Sequence, residues 1–265
     1  MRLTGKITFE GIGLHSGNNC RVLIEPCESH EVMLCSGDDE YPLRQLRTEG
    51  TNRGSDYIFP SGERVRTCEH VLSAIAGTGI YSCVRVVVEG GEMPALDGCA
   101  RTLSAQILRQ SEPSEDVPAL EVSSPVMVSN DDGTRYVSAF PSDKLHITYI
   151  VEYENVGVQM YDYVQSPESY IADIAGARTF ACERDIEYLR SKGMALGGSL
   201  DNAILIGDTI QAKGGLRWTN EFVRHKILDL IGDLASIGKP LKAHITAVRA
   251  GHELHLMLAD KLKEE

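Results

Sequence analysis

No uninterrupted apolar run in the sequence approaches the roughly 20 residues needed to span a bilayer. The opening stretch, MRLTGKITFEGIGLHSG, has no apolar signal core. Both absences point to a soluble protein whose only access to a membrane is its surface. Positive charge is also scarce. There are 26 Lys and Arg against 38 Asp and Glu, a formal net charge of −12. Polyanions are bound by basic surfaces, so this balance argues against a nucleic-acid binder. It leaves room for a small anion held by a few local Lys or Arg. Paired cysteines are missing too. The seven Cys (20, 27, 35, 68, 83, 99 and 182) are odd in number, scattered, and contain no CxxC. They read as reduced thiols in a cytoplasmic protein, and the missing CxxC argues against a Cys-based zinc site. Low-complexity tracts are absent as well. The 265 residues, 42% hydrophobic and 24% charged, are enough for one large globular domain or two small ones.

What is present falls into two halves. ITFEGIGLHSGNNCRVLIEP reads as two strands joined by a Gly-rich turn. TCEHVLSAIAGTGI (67–80) is a helix with Gly77 at its C-cap. SCVRVVVEG (82–90) is a buried strand, and RTLSAQILRQ (101–110) a second helix. SEPSEDVP (111–118) is polar, holds two prolines and has no period. We place a boundary there, giving units 1–117 and 118–265. The second unit begins with strands LEVSSPVMVS, TRYVSAF, LHITYIVEY and GVQMYDYV, with helices following near 167–175 and 183–191. A long helix over 220–237, a strand over 242–250 and a helix over 252–262 close the chain. Each half ends helix–strand–helix, and the first of those helices carries unexpected polar residues. This predicts an α+β protein of two similar domains, each a β-sheet with helices, the helices packed between the two sheets. A βαβ insert over about 182–208 interrupts the second half, and inserts beside a site often set specificity.

The unexpected residues are clearest in NEFVRHKILDLIGDLASIG (220–238). His225, Asp229 and Asp233 recur every four residues and share one side of a helix rich in Ile and Leu. His and Asp at i and i+4 converge on one point, following the logic of helical zinc motifs. A third ligand must come from elsewhere, and CEH (68–70) offers His70. Neighbouring residues on a helix diverge by about 100°, so Glu69 beside it would face a bound water rather than the ion. His70, His225 and Asp229 with one open position would be a catalytic arrangement. The plainer alternative is a set of hydrogen-bonded core residues, because HxxxD and EH both arise by chance. Two acids on an apolar face nevertheless need partners.

His252, after RAG and at the start of the last helix, is a helix-terminal residue or, as a functional candidate, a general acid whose ring Asp233 holds. His15 in GIGLHSG reads as turn chemistry. In EMPALDGCA (92–100), Asp97 is expected to cap the helix that follows.

Taken in order, GIGLHSG, CEHVLSAIAGTGI, EMPALDG, ARTF, ALGGSLDNAI, FVRHKILDLIGDL and AGH resemble the motifs of the UDP-3-O-acyl-N-acetylglucosamine deacetylase family over essentially the whole chain. These are zinc amidases that commit a precursor to lipid A synthesis in Gram-negative bacteria. The resemblance implies two domains of like topology. It implies His70, His225 and Asp229 as ligands of Zn2+, with Fe2+ as the alternative ion. It implies Glu69 as general base, His252 as general acid, Asp233 as its orienting partner and the Thr179 hydroxyl on the oxyanion. Lys226, Phe180 and Arg249 would contact substrate. In the insert, Ile186, Ala195, Leu196, Gly198, Ser199 and Leu205 would line an apolar passage for the 3-O-acyl chain, the other explanation of its glycines being backbone geometry. The implied partner is a UDP-sugar bearing one acyl chain, met by a cytoplasmic monomer in transient contact with the inner membrane surface. No nucleic acid is implied.

The sequence departs from the family at four places. Tyr153 and Glu154 stand where a His-Pro pair is usual. Cys68 and Cys99 replace Val and Ser. ELH follows AGH in place of ALN. None of these touches the expected ligands or the acid–base pair. Two rival functions share the pattern: a metal amidase of another N-acyl sugar, which would have no use for the insert, and a non-catalytic scaffold, which would have lost Glu69 or a ligand.

Overall fold

A computed structural model describes residues 1–51 and 53–264; Glu265, the end of the second expected unit, lies outside the described residues. The first half is built on β1 (Ile7–Ile12), β2 (Asn19–Pro26), β3 (Val32–Ser36) and β4 (Asp39–Pro42). Three short strands follow, β5 (Arg47–Thr51), β6 (Gly54–Ile58) and β7 (Arg64–Val65), then α1 (Glu69–Gly77), β8 (Val84–Glu89) and α2 (Arg101–Arg109). The second half runs β9 (Val126–Ser129), β10 (Tyr136–Pro141), β11 (Leu145–Tyr153) and β12 (Gly157–Val164). Its insert is β13 (Phe180–Cys182), α3 (Glu183–Ser191), β14 (Ile204–Ile206) and β15 (Ile210–Gln211). The half closes with α4 (Glu221–Leu234), β16 (Leu241–Val248) and α5 (His252–Lys263).

The strand order of the first sheet is β1-β2-β8-β3-β4, and that of the second is β9-β10-β16-β11-β12. In both, the middle strand runs antiparallel to the one before it and parallel to the one after it. The two halves therefore share one topology, although their sequences hardly match. Leu120–Glu121 adds a short parallel strand beside the start of β16. Arg2–Leu3 pairs antiparallel with Ser111–Glu112, and residues 113–119 form neither helix nor strand.

Strand alternation decides which way each sheet faces. Along β11, Leu145, Ile147, Tyr149 and Val151 are buried, and the residues between them face outward. The inward faces join one continuous core, from Ile24 and Val86 through Leu72 and Ile75 of α1, and Leu228 and Ile231 of α4, to Ile147 and Ile245. The helices lie in the middle of that core. Every residue of α4 except Lys226 is buried, as expected of a central helix. Helices α1 and α4 cross closely because residue 232 is Gly. A Cβ there would lie 2.0 Å from the Glu69 carbonyl oxygen. Among the described residues, no helix is long and apolar enough to cross a membrane.

Some of the structure differs from the sequence reading. The segment 27–66 carries five strands that periodicity does not announce. Three of them form a small separate sheet with α5 packed against it. Gly77 is still helical, Thr78 is the C-cap, and Gly79 takes the positive φ of 85°. The region 167–175 is one α turn followed by a π-helical segment, Tyr170–Ile174. The βαβ unit, with β13 and β14 parallel, starts two residues earlier than expected, at Phe180. Asp97 does not cap α2, whose first turn has no side-chain cap. The Arg217 guanidinium, 3.0 Å away, draws that carboxylate instead.

Candidate metal centre

Three helices converge where the halves meet. Glu69 and His70 open α1, His225, Lys226, Asp229 and Asp233 line one side of α4, and His252 opens α5. Nε2 of His225 lies 3.2 Å from Oδ1 of Asp229, and Nε2 of His70 lies 3.5 Å from the same oxygen. The two imidazole centroids are 5.0 Å apart with planes at 80°. A tetrahedral ion with bonds of about 2.0–2.1 Å needs donors roughly 3.3 Å apart; both contacts to Asp229 are close to that spacing, and all three ligating atoms lie within 4.8 Å of one another. Asp229 Oδ1 is buried and has no hydrogen-bond partner among the described residues. An orphaned carboxylate oxygen between two imidazoles is costly in a protein interior, and a cation there would satisfy it.

The surroundings orient each donor. His225 Nδ1 donates to the Ala177 carbonyl at 3.0 Å, which turns the Nε2 lone pair toward Asp229. Burial pushes the His225 imidazole down to about 3, more than Asp229 restores, so the ring is neutral. Burial alone would raise the Asp229 carboxyl, but the neighbouring His225 imidazole, the Lys226 ammonium and the His70 ring together hold it well below the carboxylate range. The Lys226 ammonium is 2.7 Å from Asp229 Oδ2, and that neighbour more than offsets burial, raising the ammonium above its ordinary value. The Glu69 carboxylate is gripped from β6 by the Ser55 amide and hydroxyl, both 3.0 Å from Oε2. Gly54 leaves room for it, since a Cβ there would come within 3.0 Å of Oε1.

Behind the trio, Asp233 Oδ2 accepts from two imidazoles, Nδ1 of His252 at 2.9 Å and Nδ1 of His255 at 2.7 Å. The two rings titrate in opposite directions. Burial lowers both. At His252 the charge and hydrogen bond of Asp233 outweigh burial and carry the ring up to about 9, while at His255 burial prevails and the ring is lowered. His255 Nε2 meets the Tyr149 hydroxyl at 2.9 Å. Thr67 and Arg249, which lead into α1 and α5, have φ of 55° and 50°. Backbone in that region persists only where its surroundings enforce it.

Two cavities meet here. A cleft of about 610 Å³ is lined by Glu69, His70, Lys226, Asp229 and His252, with Arg249 at its edge. A second cavity of about 220 Å³ runs under the insert between Ile186, Ala195, Gly198, Ser199 and Leu205. Thr179 and Phe180 line both and mark their junction. His225 and Asp233 do not line the cleft; they are buried behind it. Leu196 does not line the passage either. It is 54% exposed and packs against Gly17, its amide bonded to the His15 carbonyl. His15 is a turn residue whose amide bonds Glu92, and its ring also borders the passage. Cys68 is fully buried. Tyr153 stacks edge-on to Phe180 at 5.0 Å, and Glu154 pairs with Arg184.

Sequence reasoning missed Ser55, Arg53, Tyr149 and His255. Arg53 ties the first half to the insert, its guanidinium 2.6 Å from Asp185. Only His255 had a visible signal, as the second imidazole of HELH on one helix face.

The fold and the centre define a class: an α+β protein with a two-His, one-Asp cluster able to hold a metal, set between paired helices and opening on an apolar passage. The family model for UDP-3-O-acyl N-acetylglycosamine deacetylase (LpxC) matches residues 1–264. Proteins named UDP-3-O-acyl-N-acetylglucosamine deacetylase are similar to it along their lengths. The one from Syntrophus aciditrophicus is 37% identical, over 99% of this chain and 85% of its own. That from Wolinella succinogenes is 36% identical, over 98% and 89%. That from Aquifex aeolicus is 34% identical, over 98% and 91%. The chain belongs to the UDP-3-O-acyl-N-acetylglucosamine deacetylase family.

Proposed function

We propose that this protein hydrolyses the acetamide of a UDP-3-O-acyl-N-acetylglucosamine, releasing acetate and the free glucosamine, as the committed step of lipid A synthesis. Family membership and the names of its relatives support the reaction class. One observation carries the reading furthest: the unpartnered Asp229 oxygen faces two imidazoles at metal-ligand spacing, in a cleft that opens onto an apolar passage.

His70, His225 and Asp229 would hold the ion, Zn2+ or Fe2+. When bound, such an ion is a Lewis acid for the amide carbonyl and lowers the pKa of coordinated water to about 7. Glu69, fixed by Ser55, takes the proton of the attacking water as its oxygen adds to the carbonyl carbon. The Thr179 hydroxyl, at the junction of cleft and passage, donates to the developing oxyanion. His252, kept protonated by Asp233, delivers a proton to the sugar nitrogen as the C–N bond breaks. Lys226, Phe180 and Arg249 bind the sugar and its diphosphate. Ile186, Ala195, Gly198, Ser199 and Leu205 receive the acyl chain, so binding energy remote from the amide positions it for attack. The working unit in this reading is a monomer of two domains, 1–117 and 118–265, in the cytoplasm, meeting its acylated substrate at the inner membrane surface.

Side-by-side assays of UDP-3-O-acyl-N-acetylglucosamine and its non-acylated analogue test the proposal. Turnover of the acylated sugar should exceed that of the other by at least about 100-fold in kcat/KM, the scale of a few buried methylenes and their positioning effect. Equal turnover would favour an amidase of another N-acyl sugar.

A further inference from the structure

The outer face of the second sheet carries a second group of metal-ligating side chains, remote from the helices. His146 on β11 and His244 on β16 are direct register partners. Asp162 on β12 is the register partner of Thr148, two residues along from His146. Alternation turns Ile147 and Tyr149 into the core, so His146 and Thr148 point the other way. The sheet therefore separates this cluster from the centre between the helices. His146 Nε2 is 2.7 Å from Asp162 Oδ1. The Thr148 hydroxyl is 2.7 Å from the same oxygen and 2.9 Å from His244 Nε2. The two imidazoles stack at 4.0 Å with planes 6° apart.

A polar strand face needs no such arrangement. Scattered Thr, Lys and Glu serve it, and Lys242 and Thr246 do so on the same strand. Here two imidazoles and a carboxylate are aligned by the register of three neighbouring strands. Their ligating atoms all lie within 4.8 Å of one another. Stacked imidazoles cannot both be charged without repulsion. Burial and the neighbouring His146 lower His244. Binding one ion with bonds of about 2.0–2.2 Å takes side-chain rotation that opens the stack of the two rings.

We infer that His146, Asp162 and His244 form a second divalent-cation site on the outer face of the second sheet. Imidazole donors select Zn2+, Cu2+ and Ni2+ over the oxygen-seeking Mg2+ and Ca2+. The site is partly exposed, so the bound ion keeps a position for water or for a donor from another molecule, and it ties three strands together. Nothing in this inference depends on the proposed deacetylation.

Equilibrium dialysis of the full chain against Zn2+, with ions counted by elemental analysis, tests it in the wild type and in His244→Ala, Asp162→Asn and His70→Ala. His244→Ala and Asp162→Asn should each bind one ion per chain fewer than the wild type at the same free Zn2+, with affinity at this site weakened about 10-fold or more. His70→Ala should keep it. Cu2+ bound to the His70→Ala protein should show two nitrogen ligands by electron paramagnetic resonance, and the signal should vanish on adding His244→Ala. Equal Zn2+ uptake by the wild type and His244→Ala overturns the inference. Loss of an ion in His70→Ala alone reports on the helix centre and likewise overturns the inference.

Discussion

At the residue scale, Glu69 and its neighbour His70 divide the labour of the centre. Adjacent positions at the mouth of α1 send one side chain to Ser55 and the other to Asp229. Glu69→Ala should therefore keep its metal and lose about 100- to 10,000-fold in turnover, the scale of a general base. His225→Ala should lose the ion itself, and elemental analysis of both variants separates the two roles. A Glu69→Ala protein with wild-type turnover would remove it as the base. His255 makes a subtler prediction. It donates to Asp233 and meets Tyr149, so His255→Ala leaves two buried groups short of a partner. We expect a loss of about 1–3 kcal/mol in denaturant stability together with reduced kcat. His255→Asn, which keeps an N–H, should lie closer to wild type, and identical behaviour of the two variants would argue against the hydrogen bond.

At the element scale the governing feature is the close crossing of α1 and α4. It brings His70 of one half within reach of Asp229 of the other, and it exists because Gly232 has no side chain. Gly232→Ala would drive a Cβ into the Glu69 carbonyl. Forcing the helices apart should cost about 1–3 kcal/mol or more and weaken metal retention at the same time. Wild-type stability and full metal content in that variant would show that the crossing is not tight.

Legibility also divides by element. The strands of the two main sheets outside 27–66, and helices α1 to α5, are legible because alternation or the 3.6-residue period persists along them, for six residues or more in all but the four-residue β9. The His and Asp of α4 were readable because i, i+4 spacing is geometry. The small sheet was not readable: its strands are two to five residues long, too short for a period to show. Ser55 and Arg53 lie in or beside that sheet, and so were missed with it. Asp97 is not legible from the local capping rule, because a guanidinium distant in sequence, Arg217, wins the carboxylate.

At the scale of the whole molecule, one sheet topology repeated in both halves sets a helix of each against the other, and the site lies between them. Loops from both halves then hold it together. The Glu92 carboxylate is one such tie within the first half, taking the amides of His15 and Ser16 and the Thr67 hydroxyl just before α1. Burial would raise this carboxyl, but those hydrogen bonds outweigh it and hold it below its ordinary value. Its stabilisation is therefore full above the unfolded carboxylate pKa of about 4.3 and fades as pH falls through the lower folded value. The gap in melting temperature between wild type and Glu92→Gln should be widest near pH 7 and close toward pH 3. A gap independent of pH would mean the carboxylate is not ionised in the fold.

The central claim is that side chains from both halves grip a single divalent ion between α1 and α4. Crystals of chelator-free protein measured at the zinc or iron absorption edge address it directly. We predict an anomalous peak about 2.0–2.2 Å from Nε2 of His70, Nε2 of His225 and Oδ1 of Asp229. A well-ordered map with no peak there, in protein that turns over the acylated UDP-sugar, would contradict it.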